Sequence, residues 1–95
     1  MLVRFEWDDR EEAGNLRKHG IDFDTAALVF EDRMLLMMQD RVVDGEVRWR
    51  SIGMVNEKYL LLVAHTYEEE GEEVVRIISA REATAHERRE YESDL

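Results

Sequence analysis

Residues 76–92 read Arg-Ile-Ile-Ser-Ala-Arg-Glu-Ala-Thr-Ala-His-Glu-Arg-Arg-Glu-Tyr-Glu, an apolar run carrying one arginine that passes straight into a strongly charged segment. Ser79 stands three residues before Glu82. That is the spacing of a capping box, in which the serine hydroxyl accepts a hydrogen bond from the Glu82 amide and the glutamate reaches back to the Ser79 amide. The pattern predicts a strand that ends near Ser79 and a helix that begins at about Ala80. Working back from this junction, residues 34–38, 47–55, 59–66 and 74–79 are each of strand length, separated by segments containing Asp44-Gly45, Asn56-Glu57 or Gly71. Four such strands in succession predict an antiparallel meander.

Nearer the N-terminus, the alternation of Val3, Phe5 and Trp7 with Arg4 and Glu6 predicts a strand over residues 2–6. Asp8 and Glu11 supply a second capping box, and Gly20 after Lys18-His19 supplies a left-handed stop, so a helix is expected over residues 9–19. Asp22 or Asp24 can restart a short helix, whose apolar face is Phe23, Ala26, Ala27 and Phe30. The chain therefore reads as one α+β domain over residues 1–95, in the order β-α-α-β-β-β-β-α. An antiparallel sheet is packed by the two N-terminal helices, and a C-terminal helix follows.

The formal net charge is -10, which excludes a protein whose whole surface is a nucleic-acid footprint. Much of that charge lies in Glu68, Glu69, Glu70, Glu72 and Glu73 around Gly71, a solvated hairpin tip. There is no cysteine, and His19, His65 and His86 are scattered, so no metal and no cofactor are expected. The apolar run at 60–64 falls far short of the roughly 20 residues of a membrane-spanning helix. A cytoplasmic protein is expected.

Against this acidic background the arginines are concentrated. Alternation places Arg48 and Arg50 on one face of the strand 47–55, with Ile52 and Met54. Arg76 shares a face with Val74 and Ile78 in the strand 74–79, and Arg81, Arg88 and Arg89 follow. Arginine presents a fixed fork of donors that matches phosphate oxygens. The competing reading is that these arginines pair with Glu82, Glu87, Glu90 and Glu92, or with a structural carboxylate in the case of Arg76. Lys18 and His19 complement the dipole at the end of their helix, which alone accounts for them. If the phosphate is that of RNA, Arg48, Arg76 and Lys18 can stabilise charge, and Glu46 and His19 are the available proton carriers.

Several short stretches together resemble the BrnT toxins, a RelE-like group in bacterial type II toxin-antitoxin pairs. They are Phe5-Glu6-Trp7-Asp8, Asn15 with Lys18-His19-Gly20 and Phe23, and Ala27 with Val29-Phe30 and Asp32. Further along come Gly45-Glu46 with Arg48, residues 60–63 with His65-Thr66, and the stretch from Arg76 to Thr84 with Glu87-Arg88 and Tyr91-Glu92. The resemblance implies a RelE-like fold and a metal-independent endoribonuclease that stops translation. It also implies neutralisation by a BrnA-type antitoxin in a toxin-antitoxin hetero-oligomer. That antitoxin's ribbon-helix-helix region binds operator DNA, so this chain meets DNA only indirectly. The polar positions it carries over are Lys18, His19, Glu46, Arg48, Arg76, Arg81 and Glu87; taken with the arginine reading above, catalysis is expected of Glu46, Arg48, Arg76 and His19, and RNA binding of Lys18, Arg50, Arg81 and Arg88. RNA is the implied substrate, free or on a ribosome. The alternative is a catalytically silent module that binds an antitoxin and tunes its grip on the operator. Arg33, Arg50 and the long acidic tip around Gly71 depart from the family pattern.

Overall fold

The structure, a computed structural model, describes residues 3–93. Residue 2 of the expected first strand lies outside them. One five-stranded sheet organises the chain: β1 (Val3–Trp7), β2 (Leu36–Val43), β3 (Glu46–Val55), β4 (Tyr59–Glu68) and β5 (Glu73–Glu82), in the spatial order β1-β5-β4-β3-β2. Strands β2 to β5 form the antiparallel meander read from the turn signals. Strand β1 joins the far edge parallel to β5, Val3 opposite Glu73 and Trp7 opposite Ile77, so the sheet is mixed.

Helix α1 (Asp9–His19) begins where the Asp8 carboxylate accepts from the Arg10 amide. It ends at Gly20, whose φ of 73° lets its N–H reach the Leu16 carbonyl. Helix α2 (Phe23–Ala27) is capped by Asp22, which accepts from the Thr25 amide, and runs into a single 3-10 turn, Leu28–Glu31. These elements cover one sheet face. Phe23, Ala26 and Val29 are buried there against Val55, Leu61, Val63, Val75, Ile77 and Ala80. Each fully buried Val, Ile or Phe contributes roughly 1.5–3 kcal/mol of transfer free energy. Gly53 permits the closest approach, since a Cβ at that position would lie 2.8 Å from the Val29 carbonyl oxygen.

On this face too, His65 is wholly buried. Its Nδ1 lies 2.9 Å from the Thr66 carbonyl, its Nε2 2.8 Å from the Ser51 hydroxyl, and its ring stands edge-on to Phe30. A carbonyl can only accept, so Nδ1 carries the proton and Ser51 donates to Nε2. Burial pushes its pKa down to about 4, with the Thr66 hydrogen bond opposing the shift. His65 is a neutral core residue.

The opposite face carries a smaller core of Ile52, Leu60, Leu62 and Tyr91, the last from helix α3 (Ala85–Ser93). The Tyr91 hydroxyl donates to Asp32 at 2.6 Å, and the Met34 and Met54 amides donate to the same carboxylate. Burial works against ionisation of Asp32, yet these three donors hold its pKa below the usual carboxylate value.

The strand-to-helix junction lies further on than the Ser79 capping box predicts. Strand β5 continues to Glu82, with Ala80, Arg81 and Glu82 paired to Val63, Leu62 and Leu61 of β4. The cap that forms is Thr84 with Glu87: the Glu87 amide donates to Thr84 Oγ1 at 3.2 Å, and the Thr84 amide donates to Glu87 Oε1 at 2.9 Å. Both serine and threonine stand at capping-box spacing. The length of β4 decides between them, because it holds the backbone of residues 80–82 in the ladder.

Candidate functional site

The face under α3 extends beyond that helix as a row of arginines. From β3 come Arg48 and Arg50, on the same side as Ile52; from β5 come Arg76 and Arg81. Between them, β4 contributes small side chains. Arg50 pairs laterally with Ala64 and Ala64 with Ser79, while Thr66 pairs with Arg76. A low sheet centre is thus flanked by guanidinium groups on both sides.

Four arginines share two carboxylates here. Arg76 Nη2 donates to Glu46 Oε1 at 2.6 Å, and Arg48 Nη2 lies 3.7 Å from the same oxygen. Arg81 makes a two-pronged pair with Glu87, at 2.7 and 2.8 Å, and Arg50 Nη1 lies 3.9 Å from Glu87. Glu87 is 6% exposed, and the Arg81 hydrogen bonds, aided by the Thr84 amide and opposed by burial, pull its pKa down to about 2. On β1, Glu6 occupies the position beside Arg76 but turns to Arg4 at 3.6 Å. The Nε atoms of Arg48 and Arg50 are buried and have no acceptor among the described residues. A buried N–H donor left without a partner costs about 1–3 kcal/mol. Both donors belong to neighbouring residues on the arginine face of β3.

The remaining candidates lie elsewhere. Lys18 and His19 are exposed at the end of α1, where with Arg81, Ser79 and Asn15 they line a groove of about 460 Å³ between α1 and β5. His19 is at the Leu61–Glu82 end of the sheet, whereas Glu46 joins Arg76 beside Thr66 at the other end. The two proton carriers proposed from sequence are not brought together. Arg88 is exposed on α3, 4.0 Å from Glu92. Glu12, Asp22 and Asp24 can converge within 4.8 Å, but Glu12 already accepts from the Phe23 amide and Asp22 from the Thr25 amide. Their arrangement is explained by helix capping.

A family profile described as the ribonuclease toxin BrnT of type II toxin-antitoxin systems matches residues 7–87. The chain belongs to the BrnT family. Among solved structures, the crystal structure of the Brucella abortus ribonuclease toxin BrnT is similar, with a TM-score of 0.60. The match covers 87% of this chain and 99% of that one at 22% sequence identity, a likeness of fold. No curated protein matches.

Within this BrnT chain, the sequence named Glu87 and Asn15 without disclosing how they organise the site. Glu87 joins Arg81 and Arg50 and caps α3; the Thr84-x-x-Glu87 spacing was its visible signal. Asn15 is buried and bonds to Ala80, sixty-five residues away, which no local pattern discloses.

Proposed function

We propose that this BrnT toxin is a metal-independent endoribonuclease that cleaves RNA, free or on the ribosome, and so inhibits translation. The observation that carries the reading is the shared Glu46 oxygen between Arg76 and Arg48, beside arginine Nε–H groups that lack an acceptor among the described residues. A phosphodiester over Ala64 and Thr66 would meet Arg48 on one side and Arg76 on the other. The Glu46 carboxylate takes the proton of the ribose 2'-hydroxyl, whose oxygen then attacks the adjacent phosphorus. A 2',3'-cyclic phosphate forms, the bond to the 5' oxygen breaks, and that oxygen takes up a proton. The two guanidinium groups stabilise the charge that accumulates on the phosphoryl oxygens. Arg50 and Arg81 hold the neighbouring backbone, with Lys18 further along the Arg81 groove. No role in the chemical step follows for His19, and Arg88 lies outside the row.

A BrnA-type antitoxin with a ribbon-helix-helix region, covering the arginine face in a cytoplasmic hetero-oligomer, would hold the enzyme silent and contact operator DNA on its behalf. Among the described residues no helix is long and apolar enough to cross a membrane. A second reading draws on the same geometry. Each arginine already lies near a carboxylate, and the chain carries a net charge of -10, which suits a silent module that only binds the antitoxin.

Cleavage of a structured RNA by the purified, antitoxin-free chain in excess chelator separates the two. Folded wild-type protein is expected to cut, and Arg48→Ala and Arg76→Ala to lose about 100-fold or more in rate. Cutting retained by both variants would sink the site assignment. No cutting by wild type, with or without ribosomes, would establish the binding module.

A further inference from the structure

Strand β5 brings both of its arginines to one face only through an irregularity. Arg76 lies opposite Thr66 and Arg81 opposite Leu62, two positions on the same side of β4. Five residues separate the arginines in sequence, and in a regular strand an odd separation puts side chains on opposite faces. The extra residue is Ile78. Ile77 pairs with His65 and Ser79 with Ala64, so β5 spends one more residue than β4 across this step, which is a β-bulge.

What holds the bulge comes from α1. Strand β1 stops at Trp7, opposite Ile77, and leaves the outer edge of β5 without a strand beyond that point. Asn15 takes the vacant place. Its Oδ1 accepts from the Ala80 amide at 3.0 Å and its Nδ2 donates to the Ala80 carbonyl at 2.9 Å, as an extra strand residue would. The same Nδ2 donates to the Ile21 carbonyl at 2.9 Å, tying in the loop after α1.

We infer that Asn15 is a positioning residue: by gripping Ala80 it holds the Ile78 bulge, and through the bulge it keeps Arg81 on the face shared with Arg48, Arg50 and Arg76. The inference rests on the proposal that this face binds RNA. Without the grip, β5 can regularise by a slip of one residue, which turns Arg81 toward the α1 side and away from Glu87.

The test is a double-mutant cycle on the full chain with Asn15→Ala and Arg81→Ala, each shown to be folded. The probe is a labelled, uniformly 2'-O-methyl RNA oligonucleotide that binds without being cut. Arg81→Ala is expected to weaken wild-type binding about tenfold and to cost little more once Asn15 is alanine. NMR titration of the Glu87 carboxyl gives a second readout free of RNA: its pKa is expected to rise from about 2 in Asn15→Ala as Arg81 leaves it. Additive losses with Glu87 unmoved would overturn the inference. Unchanged binding in Arg76→Ala and Arg81→Ala would instead sink the RNA reading, and the Glu87 titration would still decide the role of Asn15. Deleting Ile78 supplies a rescue, because a spacing of four puts both arginines on one face of a regular strand. In that background Asn15→Ala is expected to leave the Arg81–Glu87 pair intact, and its loss there would count against the bulge.

Discussion

Acidification tests the core through His65. Its folded pKa of about 4 lies below the ordinary 6.5, so the unfolded chain binds the proton more readily than the native one. Stability is therefore full at neutral pH, falls as pH drops through 6.5, and stops falling on this account near pH 4. At about 1.4 kcal/mol per pKa unit the whole gap is worth about 3 kcal/mol. Roughly 2 kcal/mol of it should disappear between pH 7 and pH 5. The lowered carboxylates Glu87, Asp32 and Asp22 act in a more acidic window, below their ordinary values of 4.5 and 3.8. The assay is urea unfolding at pH 7, 6 and 5, beside NMR titration of the His65 ring. Wild type should lose stability over that range, and His65→Gln should lose far less. A wild-type stability that is flat from pH 7 to 5, or a His65 ring that titrates near 6.5 in the folded protein, would refute the argument.

Gly53→Ala should cost about 1–3 kcal/mol in thermal or urea unfolding, because the new methyl meets the Val29 backbone at 2.8 Å and a carbonyl oxygen cannot rotate away. Tyr91→Phe removes a hydrogen bond to a carboxylate and should lower stability by about 1.5–3 kcal/mol, with burial of the ring itself retained. Glu46→Gln should reduce RNA cleavage by about 100-fold or more while leaving oligonucleotide affinity equal or higher, since it removes the base and a competing negative charge together. Equal loss of affinity and rate would place Glu46 in binding instead.

The face that carries Arg48, Arg50 and Ile52 was legible, because a ten-residue strand with clean alternation admits one assignment of sides. Arg76 was legible with Val74 from the alternation that precedes it, but Ile78, expected on the same face, is the bulged residue, and Ser79 takes that side instead. Arg81 was not: the serine and glutamate around it are a good local helix start, and only the pairing of β4 with residues 80–82 overrides that preference. The odd spacing from Arg76 likewise needs the bulge before it can be interpreted. Glu46 and His19 looked like partners because sequence gives no measure of which end of a strand a residue reaches. Asn15 illustrates the same limit from another side. A polar residue inside an amphipathic helix reads as surface until a distant backbone group is found to need it.

The two cores are unequal, and α3 belongs only to the smaller one. A nine-residue helix has little stability of its own in water, so it stays in place through Tyr91, the Asp32 hydrogen bond and the Arg81–Glu87 pair. The larger core, built from α2, the 3-10 turn and the sheet, uses none of these. The C-terminal helix is thus a separable module in evolutionary terms. A lineage can shorten it, recode it or replace it with another covering segment while the remaining fold persists. The residues under selection in such exchanges would be those exposed by its removal: Ile52, Leu60 and Leu62.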